Sequence, residues 1–268
     1  MWRSLLYVPA DRADQFVPRA EATAVDAIIL DLEDGVAPSA KAAARSRAAQ
    51  VIRSIDRPVV VRVNSGAALD ADIDAIALAN PSAVMLPKAT ALSLDDAERS
   101  LARHRLPVPV IALVESARGL LDLSAMARHR RVSRFALGEA DLRADLGLGA
   151  HADHALWPIR TQVVVASAAF GLEPPIAPVS TDWKDLDGLR RTSTLLRNAG
   201  FGGRSAIHPD QVVTIAESFR PSPDEVKVAE RIVALFDAAS ADGRDVVVGE
   251  DGRMIDEAVV RSARHVLS

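Results

Sequence analysis

Val110-Ile-Ala-Leu-Val-Glu115 and Arg134-Phe-Ala-Leu-Gly-Glu-Ala-Asp141 are the two segments whose reading decides the fold. Each is a short apolar run that empties into a carboxylate: Glu115 directly after the first, Asp141 just past the second. Between them, Ser116 to about Arg128 carries a helical pattern. The apolar runs are continuous rather than alternating, which is the signature of strands buried on both faces, as in a parallel sheet covered by helices. Carboxylates that follow consecutive parallel strands lie on one rim of the sheet, where they resemble a pair of metal ligands.

Working outward, the same strand–helix alternation recurs. Leu5–Val8, Ala27–Leu30, Val59–Val63 and Ala83–Leu86 are the first four strands, and Pro175–Val179 and Gly203–Ile207 are two weaker ones after the central pair. Helices are predicted from Asp11, read as an N-cap, to about Ala22, and over Ser39–Ile52. Others run through Ile73, Ile76 and Ala77, from near Ser93, over about Ala155–Phe170, and over Leu186–Ala199. Eight such units in about 220 residues match a (β/α)₈ TIM barrel, typically about 250 residues long. An open doubly wound sheet is the competing arrangement. Polar residues after nearly every strand favour the closed ring, in which they converge.

The pattern stops after Pro221-Ser-Pro-Asp224. A helix from Asp224 to about Ala239, a hairpin turning at Asp251-Gly252 and a helix over Glu257–Leu267 follow. These residues are too few for an independent core. The expected organisation is therefore a barrel domain over 1–220 and a helix–hairpin–helix appendage over 221–268, packed on the barrel or on a neighbouring subunit.

Composition narrows the function. Of 268 residues, 49% are hydrophobic but only 4% aromatic, so the core must be built from Ala, Val, Leu and Ile. The net charge of −4, with both signs interspersed, argues against nucleic-acid binding. With no cysteine, neither a disulfide nor a thiolate site can form. No apolar run approaches the roughly 20 residues that span a bilayer, and Met1-Trp-Arg-Ser4 leads into a strand without a signal-peptide layout. A cytoplasmic protein with no membrane partner is expected.

Active groups of a barrel sit just after the carboxyl ends of its strands. Those positions hold Asp31, Glu33 and Asp34; Arg62 and Asn64; Lys88; Glu115; Glu139 and Asp141; Asp182; and His208. Carboxylates without cysteine suit a hard divalent ion, Mg²⁺ or Mn²⁺, and Glu115 with Asp141 fits the one or two protein carboxylates that Mg²⁺ takes. Each position also has a structural reading. Glu115 could cap the next helix, and Asp141 could cap a Leu142–Leu146 turn. Asp31, Glu33 and Asp34 could pair with loop arginines, Lys88 could be a phosphate contact or a solvated rim charge, and His208 could serve as a structural hydrogen-bonding residue. Arg62 interrupts a valine run, where a charge is costly unless used or paired. His104, His129, His151, His154 and His265 show no partner in the sequence and are given no role.

Several stretches together resemble the citrate lyase β-subunit (CitE-like) branch of the HpcH/HpaI aldolase and citrate lyase family. They are Arg3-Ser-Leu-Leu-Tyr-Val-Pro9, Asp26-Ala-Ile-Ile-Leu-Asp-Leu-Glu-Asp-Gly-Val36, Val61-Arg-Val-Asn64, Leu86-Pro-Lys88, Ile111-Ala-Leu-Val-Glu-Ser-Ala-Arg-Gly119, Gly138-Glu-Ala-Asp-Leu-Arg-Ala-Asp-Leu-Gly147, Gly203-Arg-Ser-Ala-Ile-His-Pro209 and Asp251-Gly-Arg-Met-Ile-Asp256. The resemblance implies a TIM-barrel lyase with Mg²⁺ (or Mn²⁺) held by Glu115 and Asp141. It implies that Arg62 binds substrate, and that the substrate is a 3-hydroxyacyl-CoA thioester, such as citryl-CoA or malyl-CoA, split into an acyl-CoA and a 2-oxo acid such as oxaloacetate. Asp256 matches an acid/base aspartate presented by a neighbouring subunit's appendage, in assemblies that are usually homotrimers or hexamers. Lys88, Arg3 and Arg12 are cations available for CoA phosphates, so the expected substrate contacts are Arg62, Glu115, Lys88 and Arg3. The chain departs from the family pattern at Ala10, where Gly is commoner, at Glu139-Ala140, where Ala-Glu is commoner, and over Ile176–Asp182. A metal-dependent aldolase on free 2-oxo acids, an acyl-CoA thioesterase and a non-catalytic CoA- or oxo-acid-binding subunit are the other readings left open.

Overall fold

Eight parallel strands, each hydrogen-bonded to the next and β8 to β1, close into a barrel. The computed structural model describes residues 1–149, 151–241, 243, 246–249 and 252–267. The strands are β1 (Ser4–Pro9), β2 (Ala27–Asp31), β3 (Val59–Arg62), β4 (Ala83–Leu86), β5 (Val110–Val114), β6 (Val132–Leu137), β7 (Glu173–Ala177) and β8 (Gly203–Ala206). The helices between and after them are α1 (Ala13–Glu21), α2 (Lys41–Ser54), α3 (Leu69–Ala77), α4 (Ala91–Arg103), α5 (Ala117–Leu121), α6 (Leu123–Ala127), α7 (Glu139–Asp145), α8 (Leu156–Ala169), α9 (Leu186–Asn198) and α10 (Gln211–Phe219).

The continuous apolar runs have the physical cause expected of them. Alternate side chains of each strand point to two different cores. Leu5, Ile29, Val60, Met85, Ile111, Leu113 and Ile176 fill the inside of the barrel. Leu6, Ile28, Leu30, Val61, Val84, Ala112 and Phe135 pack outward against the helices. Small residues let the helices come close: α2 turns Ala44, Ala48, Ala49 and Val51 inward.

Local departures from the sequence expectation have local reasons. Asp11 is not an N-cap; it lies inside a 3₁₀ turn, Ala10–Arg12, and α1 starts after it. The helix read over Ser116–Arg128 does start at a Ser116 cap, whose side chain accepts from the Gly119 N–H, but it is split into α5 and α6 at Asp122. β7 starts two residues earlier than read, and its register against β6 is broken. Pro174 and Pro175 explain that break, because neither has an N–H for the ladder.

The chain divides into two compact units, Met1–Phe219 and Arg220–Ser268. The second contains α11 (Pro223–Ala241), the short antiparallel pair β9 (Val247–Val248) and β10 (Met254–Ile255), and α12 (Glu257–Leu267). Phe236, Ile255 and Val260 form its small core. Of the hairpin residues read from sequence, Asp251 lies outside the described residues, and Gly252 has φ 76°. Among the described residues no helix is long and apolar enough to cross a membrane.

Candidate metal and substrate site

Glu115 follows β5 directly and is 3% exposed. Its Oε1 accepts the Lys88 N–H at 2.7 Å. Lys88 is able to aim that N–H because it adopts φ 49°, a left-handed conformation that costs a non-glycine residue free energy. Gly138, after β6, leaves room for the same carboxylate: a Cβ there would fall 2.6 Å from Glu115 Oε2. Burial pushes the Glu115 carboxyl up to about 7; the Glu33 and Asp141 carboxylates add to this, while the Lys88 N–H and Arg62 oppose it. Asp141 is therefore within electrostatic reach of Glu115. It stands in the first turn of α7, exposed, and it caps nothing: the helix starts at Glu139 with Gly138 before it.

Arg62, the last residue of β3, faces this pair across the mouth. Its Nε and Nη2 donate to the two oxygens of Asp31 at 2.7 and 2.6 Å, and its Nη1 lies 3.1 Å from Glu33 Oε2. Glu33 Oε1 takes the Lys88 ammonium at 2.8 Å. The Arg62 guanidinium also lies 5.0 Å from the Tyr7 ring. Its proton is held more firmly than usual: the Asp31 hydrogen bond and neighbouring negative charge outweigh the opposing effect of burial, which is the largest single influence. Glu33 Oε2 is buried without an aligned hydrogen bond.

Asp31 and Glu33 thus form part of the expected acidic network, but its arginine is Arg62 on a strand rather than one from a loop, and Asp34 lines the cavity at the mouth, outside it. Asn64 does not face the mouth. It is tied to Asp72 and the Leu32 carbonyl and accepts from Lys41, which holds the β2 and β3 loops together. Asp182 accepts from the N–H groups of Lys184 and Asp185 within its own loop. His208 is stacked on Trp183 with ring centroids 4.1 Å apart, and its Nδ1 accepts the Asp210 N–H. His104 does have partners, its two ring nitrogens lying 3.3 and 3.2 Å from Asp70 and Asp74.

Arg62, Glu115 and Asp141 line one cavity of about 930 Å³, together with Tyr7, Asp31 and Arg160. A second cavity of about 460 Å³ contains Arg12, Phe16, Arg19 and His208 and shares Tyr7 and Ile207 with the first. Lys88 lines neither cavity, and its N–H and ammonium are bound to Glu115 and Glu33. Arg3 must be withdrawn from the substrate contacts. It precedes β1, at the amino ends of the strands, where its backbone N–H donates to Asp26 and its carbonyl accepts from the Arg204 N–H. The closed ring therefore puts it at the opposite end from the mouth. Tyr7, Phe16, Arg19 and Arg160 were not singled out from sequence. Only Tyr7 left a signal, as an aromatic at an inward position of β1 that an otherwise aliphatic barrel interior did not require.

The donors present fit a hard divalent ion. Glu115 is a buried carboxylate whose negative charge is disfavoured where it stands, with a second carboxylate close by and an open cavity in front. A divalent cation relieves that penalty. Among the described residues no group of three or more His, Asp or Glu side chains is placed to hold a metal, so protein ligation by two carboxylates, with water and substrate completing the shell, is the arrangement that fits.

The chain belongs to the HpcH/HpaI aldolase/citrate lyase family, whose model matches residues 3–209. It is 32% identical over 276 residues to the (3S)-malyl-CoA thioesterase of Cereibacter sphaeroides, covering 100% of this chain and 94% of that one. It is 31% identical over 293 residues to the mitochondrial citramalyl-CoA lyase of Rattus norvegicus, covering 99% and 85%. The crystal structure of CitE from Mycobacterium tuberculosis in complex with magnesium, acetoacetate and coenzyme A superposes with a TM-score of 0.81 at 33% identity, covering 99% of this chain and 97% of that one.

Proposed function

We propose that this protein cleaves, or forms, the carbon–carbon bond of a 3-hydroxyacyl-CoA thioester that bears a carboxylate, giving an acyl-CoA and a 2-oxo acid such as oxaloacetate. It is a carbon–carbon lyase dependent on Mg²⁺, which Glu115 and Asp141 hold. The observation that carries this reading is the convergence of Glu115, Asp141 and Arg62 on one cavity that adjoins a second, cation-lined one.

When bound, Mg²⁺ supplies Lewis-acid polarisation to the oxygen that becomes the ketone. Loss of the hydroxyl proton to water in the open cavity and breaking of the C–C bond leave the acyl-CoA portion as an enolate, whose charge must be stabilised in place. Arg62, preset by Asp31 and Tyr7, stabilises that charge or grips the acid's carboxylate. Tyr7 stays protonated, since burial raises its phenol well above the usual range. The 460 Å³ cavity, with Arg12 and Arg19 at its wall, suits the anionic CoA portion, and the shared Tyr7/Ile207 wall is where the thioester crosses between cavities.

Asp256 exchanges the proton with the enolate carbon, delivered by the appendage of a neighbouring subunit in a homotrimer or hexamer. Within its own unit Asp256 caps α12, accepting the Val259 N–H at 3.0 Å. Asn caps as well as Asp, so Asp256→Asn separates the two roles. Turnover is expected to fall severely with Mg²⁺ affinity and thermal stability retained; equal loss of all three would make the residue structural. Light scattering of the purified chain tests the assembly, and cell fractionation tests the cytoplasmic location that belongs to the same reading.

Similarity to a thioesterase favours a second reading, hydrolysis of the hydroxyacyl-CoA to the free hydroxy acid. Product analysis decides it: acyl-CoA plus oxo acid means lyase, and free CoA plus hydroxy acid means thioesterase. Inactivity of the isolated chain on every acyl-CoA offered would instead leave a binding subunit, and oxo-acid cleavage without CoA a free-acid aldolase.

A further inference from the structure

Three acidic side chains stand near the mouth after β5 and β6, and only two are offered to the ion. The third, Glu139, is taken. Its Oε1 and Oε2 accept from Nε and Nη2 of Arg160 on α8, at 2.6 and 2.9 Å, and both side chains are largely buried. Arg160 is fixed in turn. Its guanidinium lies 4.7 Å from the Trp157 ring, and its Nη1 is 3.5 Å from Asp153. Asp153 also accepts from Arg143 at 2.6 Å. The chain of contacts Glu139–Arg160–Asp153–Arg143 therefore begins and ends on α7.

Helix geometry says what this does. Glu139 and Arg143 are four residues apart and share one face of α7. Asp141 is two residues from each, about 200° round the axis, so it projects from the opposite side. A helix of seven residues does not hold its own orientation without tertiary support. The contacts from Arg160 and Asp153 supply it on the face away from Asp141, while on Asp141's own face Asp145 accepts the Ala117 N–H at 2.7 Å.

We propose that Arg160 is a positioning residue of the metal site: by clasping α7 through Glu139 and, via Asp153, Arg143, it aims Asp141 at the ion and keeps Glu139 out of the ligand set. This rests on the two-carboxylate site proposed above. The pair does two jobs with one contact, because the guanidinium that orients the helix also neutralises the carboxylate that would otherwise add negative charge beside Glu115 and Asp141.

The test is a Mn²⁺ titration of the full chain followed by electron paramagnetic resonance, with folding checked by circular dichroism. The wild-type chain comes first: no Mn²⁺ binding, or binding that Asp141→Asn leaves intact, would overturn the site itself rather than the role of Arg160. With that site present, Arg160→Gln and Glu139→Gln are each expected to weaken Mn²⁺ about tenfold, the lower end of the loss that follows when direct support of a metal ligand is removed. The double variant should be no worse than either single one, because both remove the same contact, and Arg160→Lys should recover part of the loss. Should Arg160→Gln fail to fold, the double variant, which buries no lone charge, and Asp153→Asn, expected to weaken Mn²⁺ less, carry the test. Unchanged or tighter Mn²⁺ binding in Arg160→Gln, or a lowered melting temperature with unchanged affinity, would sink the proposal. A loss confined to Glu139→Gln would make Glu139 a ligand instead.

Discussion

Arg62 and Arg134 are both buried arginines on barrel strands, one at the mouth and one at the base, and they differ in their company. Arg62 faces a cavity and is surrounded by more negative charge than it needs, Asp31 and Glu33 both reaching it. Arg134 is 2% exposed and is held by the backbone carbonyls of Trp2 and Pro174, with Nη2 unpaired and the exposed Glu173 only at 4.0 Å. Burial lowers the Arg134 guanidinium to about 10, whereas the hydrogen bond and negative charge around Arg62 raise its own. A charge in an apolar strand is thus not by itself a sign of function. An excess of opposite charge beside open space marks the working end; neutral carbonyls around a closed one mark a plug.

The largest expected difference between the two ends comes from removing each arginine. Arg62→Met leaves Asp31 buried without its countercharge and Glu33 with Lys88 alone, a loss of about 3–5 kcal/mol, and is expected to lower kcat by roughly 10²–10³. Arg134→Met frees only carbonyls, and should cost about 1–3 kcal/mol with turnover unchanged. Urea unfolding and a lyase assay read both, and equal catalytic losses would dissolve the contrast.

Glu115 sharpens the same contrast through pH. Its folded carboxyl ionises near 7, above the 4.5 of an unhindered one, so between those values the folded chain holds a proton that the unfolded chain has released. Metal-free stability should therefore fall as pH rises through that window. Mg²⁺ at the proposed Glu115 site competes with that proton, so Mg²⁺ affinity should fall as pH drops below about 7. Glu115→Gln should abolish Mg²⁺ binding yet remove the pH dependence without loss of metal-free stability. Calorimetric titration and urea midpoints between about pH 5 and pH 8 check this.

Two glycines give a smaller comparison. A Cβ at Gly138 meets the Glu115 side chain, while one at Gly203 meets the backbone oxygens of Trp2 and Arg3 at 2.6 and 2.7 Å. Gly138→Ala should weaken Mg²⁺ by displacing Glu115, the proposed ligand. Gly203→Ala should cost about 1–3 kcal/mol in stability and leave Mg²⁺ affinity alone.

Much of the architecture was legible because it depends on local pattern. Uninterrupted Val/Ile/Leu runs between helical stretches require strands covered on both sides, and the residue after each such run falls on one rim whatever the loops do. That puts Glu115 on the rim directly, with Arg62 at the end of its own strand and Asp141 shortly past β6. The same cost argument that singled out Arg62 in a valine run applied equally to Arg134 in β6, and it could not tell them apart. Arg3 was legible by the same rule: it precedes the first strand, and strand polarity puts it at the amino end, away from that rim.

The sequence by itself determined the strand–helix repeat, the aliphatic character of the two cores and the rim positions of the carboxylates, since burial periodicity and strand polarity are properties of consecutive residues. Only the tertiary structure decided which charges meet. Asp31 finds Arg62, Glu139 finds Arg160 and Lys88 turns its N–H to Glu115 because ring closure and helix docking bring together residues 21 to 31 positions apart. Those pairings depend on side-chain reach across neighbouring elements, a distance that no periodicity along the chain encodes.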